Sequence, residues 1–80
     1  MNVIVVGIGR LGSQFAQALV STGHTVTVVD LDQVRLTTVA ARAQVRQVTG
    51  DACEPYILEE AGVLAADLLV ASTGETRTTS

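Results

Sequence analysis

Val3-Ile4-Val5-Val6-Gly7-Ile8-Gly9-Arg10-Leu11-Gly12 is the stretch that decides how this chain folds. Four β-branched residues make a short apolar run, which reads as a buried strand. The run empties into Gly-x-Gly-x-x-Gly, and a helical pattern follows. Gly7 suits the tight turn out of the strand. Gly9 has no Cβ, so its backbone can lie against a phosphate. Gly12 lets the helix pack close to the sheet. The helix N-terminus offers free N–H groups and a partial positive charge to an anion. The glycines alone are weak evidence. They gain weight from Asp30, an acidic residue at the end of the next strand, at about the spacing a ribose-binding carboxylate needs.

Working outward, residues 2–6 are predicted as the first strand and 10–21 as a helix. Leu11, Phe15, Ala18 and Leu19 recur at helical spacing and suggest its buried face. Gly23 fits the left-handed position after a helix. Residues 25–29 form a β-branched strand closed by Asp30. Asp32 is a good N-cap for a helix over 33–43, with Val34, Leu36, Val39 and Ala40 as its apolar side. Residues 44–49 alternate and read as a strand. After the loop Gly50-Asp51-Ala52, a helix is expected over 54–61, with Pro55 in its first turn and Cys53 at the cap. Gly62 ends it. Residues 67–72 form a fourth strand with Thr73-Gly74 as its exit. Residues 75–80 read as a polar tail, leaving one domain over 1–74.

The order is βαβαβαβ, with crossovers long enough for helices. The strands are therefore parallel and the connections right-handed. The expected fold is α/β: a truncated, Rossmann-like, three-layer domain with sheet order 3-2-1-4, lacking strands 5 and 6.

Composition narrows the function. The chain has 80 residues and a formal charge of −3, and its five basic residues are all arginines. Such a chain is a poor candidate for nucleic acid or an anionic membrane surface. No apolar run approaches the roughly 20 residues of a membrane span. No basic leader precedes the first strand, and one cysteine excludes an internal disulfide framework, so a cytoplasmic location is expected.

In parallel sheets of this order, ligands sit outside the carboxyl ends of the strands. That rim gathers Gly7 to Gly12, Asp30, Asp51, Ala52, Thr73 and Gly74. The glycines read as a phosphate cradle, against the alternative of a bare strand-to-helix turn. Asp30 reads as the acceptor for both ribose hydroxyls and would repel a 2′-phosphate; the alternative is a solvated turn residue. Arg10 reads as a phosphate donor or an exposed arginine, and Asp51 as an adenine neighbour or a turn cap. Asp32 is expected to cap rather than bind. His24 lies at the opposite end of the sheet. Cys53 reads as a small, partly buried residue, and Tyr56 as packing or surface. Neither Cys53 nor His24 has metal-ligand spacing around it. No nucleophile is paired with a base, so the rim reads as a binding site without a reaction, and no catalytic residue is assigned.

The sequence resembles the cytoplasmic nucleotide-binding domains that regulate potassium channels and transporters, the KTN or RCK N-terminal (TrkA-N type) domains. The resemblance rests on Val5-Val6-Gly7-Ile8-Gly9-Arg10-Leu11-Gly12, on Gly23-His24 with Val26 and Val28-Val29-Asp30-Leu31-Asp32, on Gly50-Asp51-Ala52, on Leu58-Glu59-Glu60-Ala61-Gly62, on Ala66-Asp67 and on Ala71-Ser72-Thr73-Gly74. It implies binding of NAD(H), ATP, ADP or AMP, not NADP, and regulation of a membrane potassium transporter subunit. It implies phosphate contacts from the Gly7–Gly12 loop with Arg10 and Leu11, and ribose contact from Asp30. It further implies adenine surroundings from Leu31, Asp51 and Ala52, with Thr73 and Gly74 near the ribose and phosphate.

After Gly74 the sequence departs from that pattern. An unpaired edge of the fourth strand, carrying Leu68 and Val70, is expected to drive a homodimer or higher assembly. Two other readings stay open: a fragment of an NAD-dependent reductase, and a self-assembling half-fold that holds no ligand tightly. Asp30→Ala is expected to weaken nucleotide binding without unfolding the chain.

Overall fold

The computed structural model describes residues 1–71 and 76–78. Its elements are β1 (Asn2–Val6), α1 (Arg10–Ser21), β2 (Thr25–Asp30), α2 (Gln33–Ala40), β3 (Arg46–Thr49), α3 (Pro55–Ala61), a 3-10 turn at Val63–Ala65, β4 (Leu68–Ala71) and β5 (Thr76–Thr78). The sheet order is β3-β2-β1-β4-β5. The first four strands are parallel, in the expected 3-2-1-4 arrangement.

β1 lies at the centre because it is apolar on both faces. Val3 to Val6 pair with Val26 to Val29 on one side and with Leu68 to Ala71 on the other. Successive side chains alternate between faces, so two cores form. Val3, Val5, Val26 and Val28 meet Ala16 of α1 and Leu36 and Val39 of α2. Ile4, Val29 and Val48 meet Ile57 and Ala61 of α3 on the opposite face. Burial on both faces explains why β1 and β2 read as near-continuous valine runs.

Helix boundaries follow local chemistry. Asp32 caps α2, its side chain accepting from Val34 N at 2.9 Å. Gly23 and Gly62 sit at φ of 91° and 90°, the left-handed conformation that ends α1 and α3. Glu54, not Cys53, is the residue preceding α3, and its side chain makes no capping bond.

Four expectations change. The buried face of α1 is Gly12 and Ala16, flanked by half-buried Leu19 and Val20; Phe15 and Ala18 are exposed. Small residues win that face because they let the helix axis approach the sheet. Val34 is likewise exposed, and α2 buries Leu36 and Val39. α2 also ends earlier than predicted, at Ala40, where the Arg42 and Ala43 N–H groups both reach Val39 O at 3.0 Å. Finally, residues 76–78 of the expected tail form β5, antiparallel to β4, with Leu68 opposite Thr78 and Val70 opposite Thr76. Threonine favours strands, and the β4 edge offers unpaired backbone groups, so the outer edge expected to stand open is covered.

Candidate functional site

The carboxyl ends of β1, β2 and β3 meet at one rim. Gly7 turns the chain out of β1 with φ of 80°, and its N–H donates to Val29 O at 2.8 Å. Asp30, the last residue of β2, is 8% exposed. Its Oδ2 accepts from Ile8 N at 2.5 Å, inside the glycine loop, and its Oδ1 accepts from Asp32 N at 2.8 Å. The carboxylate therefore faces the loop, as expected, and also holds it in place. Each oxygen accepts one of these bonds and keeps capacity for another donor.

Beside Asp30 is a cavity of about 260 Å³ lined by Gly7, Leu31, Arg35 and the loop Gly50 to Cys53, among others. Leu31 is 72% exposed, an apolar surface left open at the mouth. Asp51 caps its own loop, with Oδ1 accepting from Cys53 N at 2.9 Å. The structure thus brings Gly7, Asp30, Leu31, Asp51 and Ala52 to one cavity. Asp51 fills the turn role while lining it.

The glycines differ in why they are glycine. Gly9 has φ of −84° and ψ of −171°, extended backbone open to any residue. A Cβ built on Gly9 would meet nothing within 4 Å. Neither strain nor packing against the described residues requires glycine there. At Gly50, by contrast, a Cβ would lie 2.4 Å from Ile57 Cδ1, so packing onto α3 requires the missing side chain. Gly9 is also the N-cap of α1, where no side chain caps the helix and no acidic residue occupies the first turn. The Asp30 carboxylate, on Ile8 N one residue before the cap, lies at this positive end from outside the helix. Gly12 is buried where α1 crosses the sheet.

The side chains of Arg10 and Leu11 lie outside the described ones, and Thr73 and Gly74 lie outside the described residues. His24 is at the far end of the sheet, with Nδ1 3.0 Å from the Met1 amino group. Cys53 is exposed rather than partly buried. The neighbouring Asp51 carboxylate raises its thiol pKa above the ordinary value, first through charge and then through a hydrogen bond. Tyr56 is 64% exposed. Among the described residues, no group of three or more His, Cys, Asp or Glu is placed to hold a metal ion, and no helix is long and apolar enough to cross a membrane.

Arg35 is the rim residue that sequence reasoning missed. It sits in the first turn of α2, with Nε 3.6 Å from Asp32 Oδ2. The signal was available in the spacing Asp30-x-Asp32-x-x-Arg35: a helix capped at Asp32 brings a residue three positions on back toward the strand end.

Comparison with known proteins places this geometry in a family context. A family model described as the TrkA-N domain matches residues 3–80. The Trk system potassium uptake protein TrkA of Haemophilus influenzae is 37% identical over 73 residues, covering 91% of this chain and 16% of that protein. TrkA of Streptomyces coelicolor is 38% identical over 71 residues, covering 89% of this chain and 32% of its own length. The chain thus spans a minor part of these relatives. Among solved structures, the TrkA-N domain of inner membrane protein ybaL from Escherichia coli superimposes with a TM-score of 0.78 at 27% identity, over 88% of this chain and 51% of that one. The Kef C-terminal domain of Shewanella denitrificans, in AMP-bound form, matches with a TM-score of 0.69 at 27% identity, over 86% of this chain and 40% of that one.

Proposed function

This chain belongs to the TrkA-N domain family, and on that premise we propose that its rim binds an adenine nucleotide. The observation that carries the proposal is Gly9. A Cβ at this position would be free of strain and of contact with the described residues, and we read its absence as sparing a ligand. A 5′-phosphate resting against Gly9 would take up the unsatisfied N–H groups and the partial charge of α1. The ribose hydroxyls would donate to the remaining lone pairs of Asp30. The base would lie in the cavity between Leu31 and Ala52, with Asp51 at its edge. Arg10, Thr73 and Gly74 are proposed to complete the phosphate and ribose contacts.

This arrangement recognises the adenosine and first phosphate shared by NAD(H), ATP, ADP and AMP. The Asp30 charge works against a phosphate carried on the 2′ oxygen, so NADP is not among the proposed ligands. Among the described residues the rim pairs no nucleophile with a base, and we read it as a sensing site. The relatives are named as potassium uptake proteins, and the role we propose for this chain is to report nucleotide state to a membrane potassium transporter subunit.

AMP is the probe for the test, because the AMP-bound Kef domain shares the fold. By calorimetry, AMP binds the parent chain. Gly9→Val keeps the circular dichroism and unfolding midpoint of the parent but loses AMP affinity by at least about tenfold, since its side chain fills the phosphate position. Equal AMP affinity in Gly9→Val and parent removes the phosphate from this turn.

A further inference from the structure

β2 is apolar from Val26 to Val29 except at Thr27. Thr27 is 7% exposed, and its register partners are Ile4 on β1 and Arg46 on β3. Valine has nearly the same shape, so packing does not call for the hydroxyl, and a buried hydroxyl that finds no partner is destabilising. Among the described residues the Thr27 side chain makes no hydrogen bond. Its oxygen is not sealed in the core either. Thr27 lines a cavity of about 170 Å³ beside the C-terminal turn of α3. This cavity lies at the amino ends of the strands, opposite the glycine loop.

The lining divides by chemistry. Ile4, Ala61 and Ala66 supply an apolar wall, Thr25, Thr27 and Arg46 stand on the polar side, and no Asp or Glu takes part. Arg46 donates through Nη2 to Glu60 O at 3.1 Å. That bond, and the one from Gly62 N to Glu59 O at 3.0 Å, answer carbonyls at the end of α3 and offset their partial negative charge within the chain. Among the described residues, Nε and Nη1 of Arg46 carry no bond and no acidic side chain pairs with the guanidinium. The β2–β3 register thus sets a guanidinium with donors to spare beside a nearly buried hydroxyl. Both donate well to carboxylate oxygens.

We propose that this cavity binds a short-chain aliphatic carboxylate. Arg46 and Thr27 donate to its oxygens, and its chain lies against Ile4, Ala61 and Ala66. At about 30 Å³ for each water-sized group, the space holds about five or six non-hydrogen atoms, the size of propionate or butyrate. The site shares no lining residue with the rim cavity and does not rest on the nucleotide reading.

The test is a butyrate titration of the isotope-labelled chain followed by amide NMR, on the parent, on Thr27→Val and on Arg46→Gln. A ligand this small is expected to bind with about millimolar affinity. In the parent, butyrate should produce saturable shifts at Thr27, Arg46 and Ala66 and leave Gly9 and Asp30 in place. Each substitution should weaken binding by about fivefold or more. Thr27→Val should also raise the thermal midpoint of the ligand-free chain, because it removes a hydroxyl that has no partner. Arg46 is exposed, so Arg46→Gln is expected to fold and tests the site independently of Thr27→Val. Butanol and inorganic phosphate are the controls. Butanol binding as tightly as butyrate would leave the apolar wall as the whole site, and phosphate binding as tightly would leave charge alone; either overturns the carboxylate assignment. It is overturned too by the absence of saturable shifts at about fifty times the expected dissociation constant, by shifts that survive both substitutions, or by a lowered midpoint in Thr27→Val, which would show that the hydroxyl serves the fold.

Discussion

Asp30 does two things at once, and a substitution separates them from the neighbouring glycines. Its carboxylate holds Ile8 N and Asp32 N from a buried position. Asp30→Ala therefore leaves two backbone donors without their acceptor, at about 1–3 kcal/mol for each that stays buried. The expectation that this change would spare the fold does not survive that geometry. Urea unfolding should show Asp30→Ala destabilised by about 2–4 kcal/mol, with Asp30→Asn between it and the parent because one amide oxygen still accepts. An unchanged midpoint for Asp30→Ala would mean that the loop is held by something else. The position of Asp30 was legible from spacing; its two internal bonds were not, because a motif distance does not say which N–H a carboxylate will meet. Gly9 and Gly50 show the same limit. Both sit in loops after strands and look alike in sequence, yet one faces open space and the other faces Ile57. Arg35 was missed because a lone arginine on a helix reads as solvated surface, although the cap at Asp32 already fixed the phase of α2.

At the scale of elements, strands were easier to read than helix faces. A strand buried on both sides announces itself by an unbroken apolar run, as in Val3 to Val6, whichever way it is turned. A helix face depends on phase and on residue size together. Phe15 drew the apolar stripe of α1 by hydrophobicity, while close approach to the sheet selects Gly12 and Ala16. The contact between the β3 exit and α3 depends on size even more narrowly. Gly50→Ala places a methyl where Ile57 Cδ1 and Cγ1 lie, 2.4 and 2.9 Å from the new Cβ. Overpacking of this kind costs about 1–3 kcal/mol, and at this chain length each kcal/mol lowers the thermal midpoint by about 4–8 °C. Adding Ile57→Val to Gly50→Ala removes the nearest clashing carbon and should restore part of that loss. On the parent background Ile57→Val should destabilise by about 0.5–1.5 kcal/mol. If the two changes simply add in thermal unfolding, Gly50 and Ile57 are not in contact and the loop that frames the rim cavity is set by other residues.

Across the whole molecule, topology does most of the functional work. Residues from three separate strand ends, numbered from 7 to 52, meet at one cavity because parallel strands deliver all their carboxyl ends to the same side. That much followed from the order of elements. The end of the sheet did not. A polar run such as Thr76-Arg77-Thr78 has no apolar face to announce a strand, and only the availability of the β4 edge makes it one. The backbone bonds of β5 are then a cover: they occupy the N–H and C=O groups that would otherwise pair with another chain. A variant ending at Gly74 removes β5 and returns β4 (Leu68–Ala71) to an open edge. In sedimentation over a hundredfold range of concentration, the weight-average mass of that variant should rise more steeply than that of the parent. Identical sedimentation of the two chains would show that β5 does not guard the edge. Self-association driven by the open edge of β4 would then have to be abandoned for this chain.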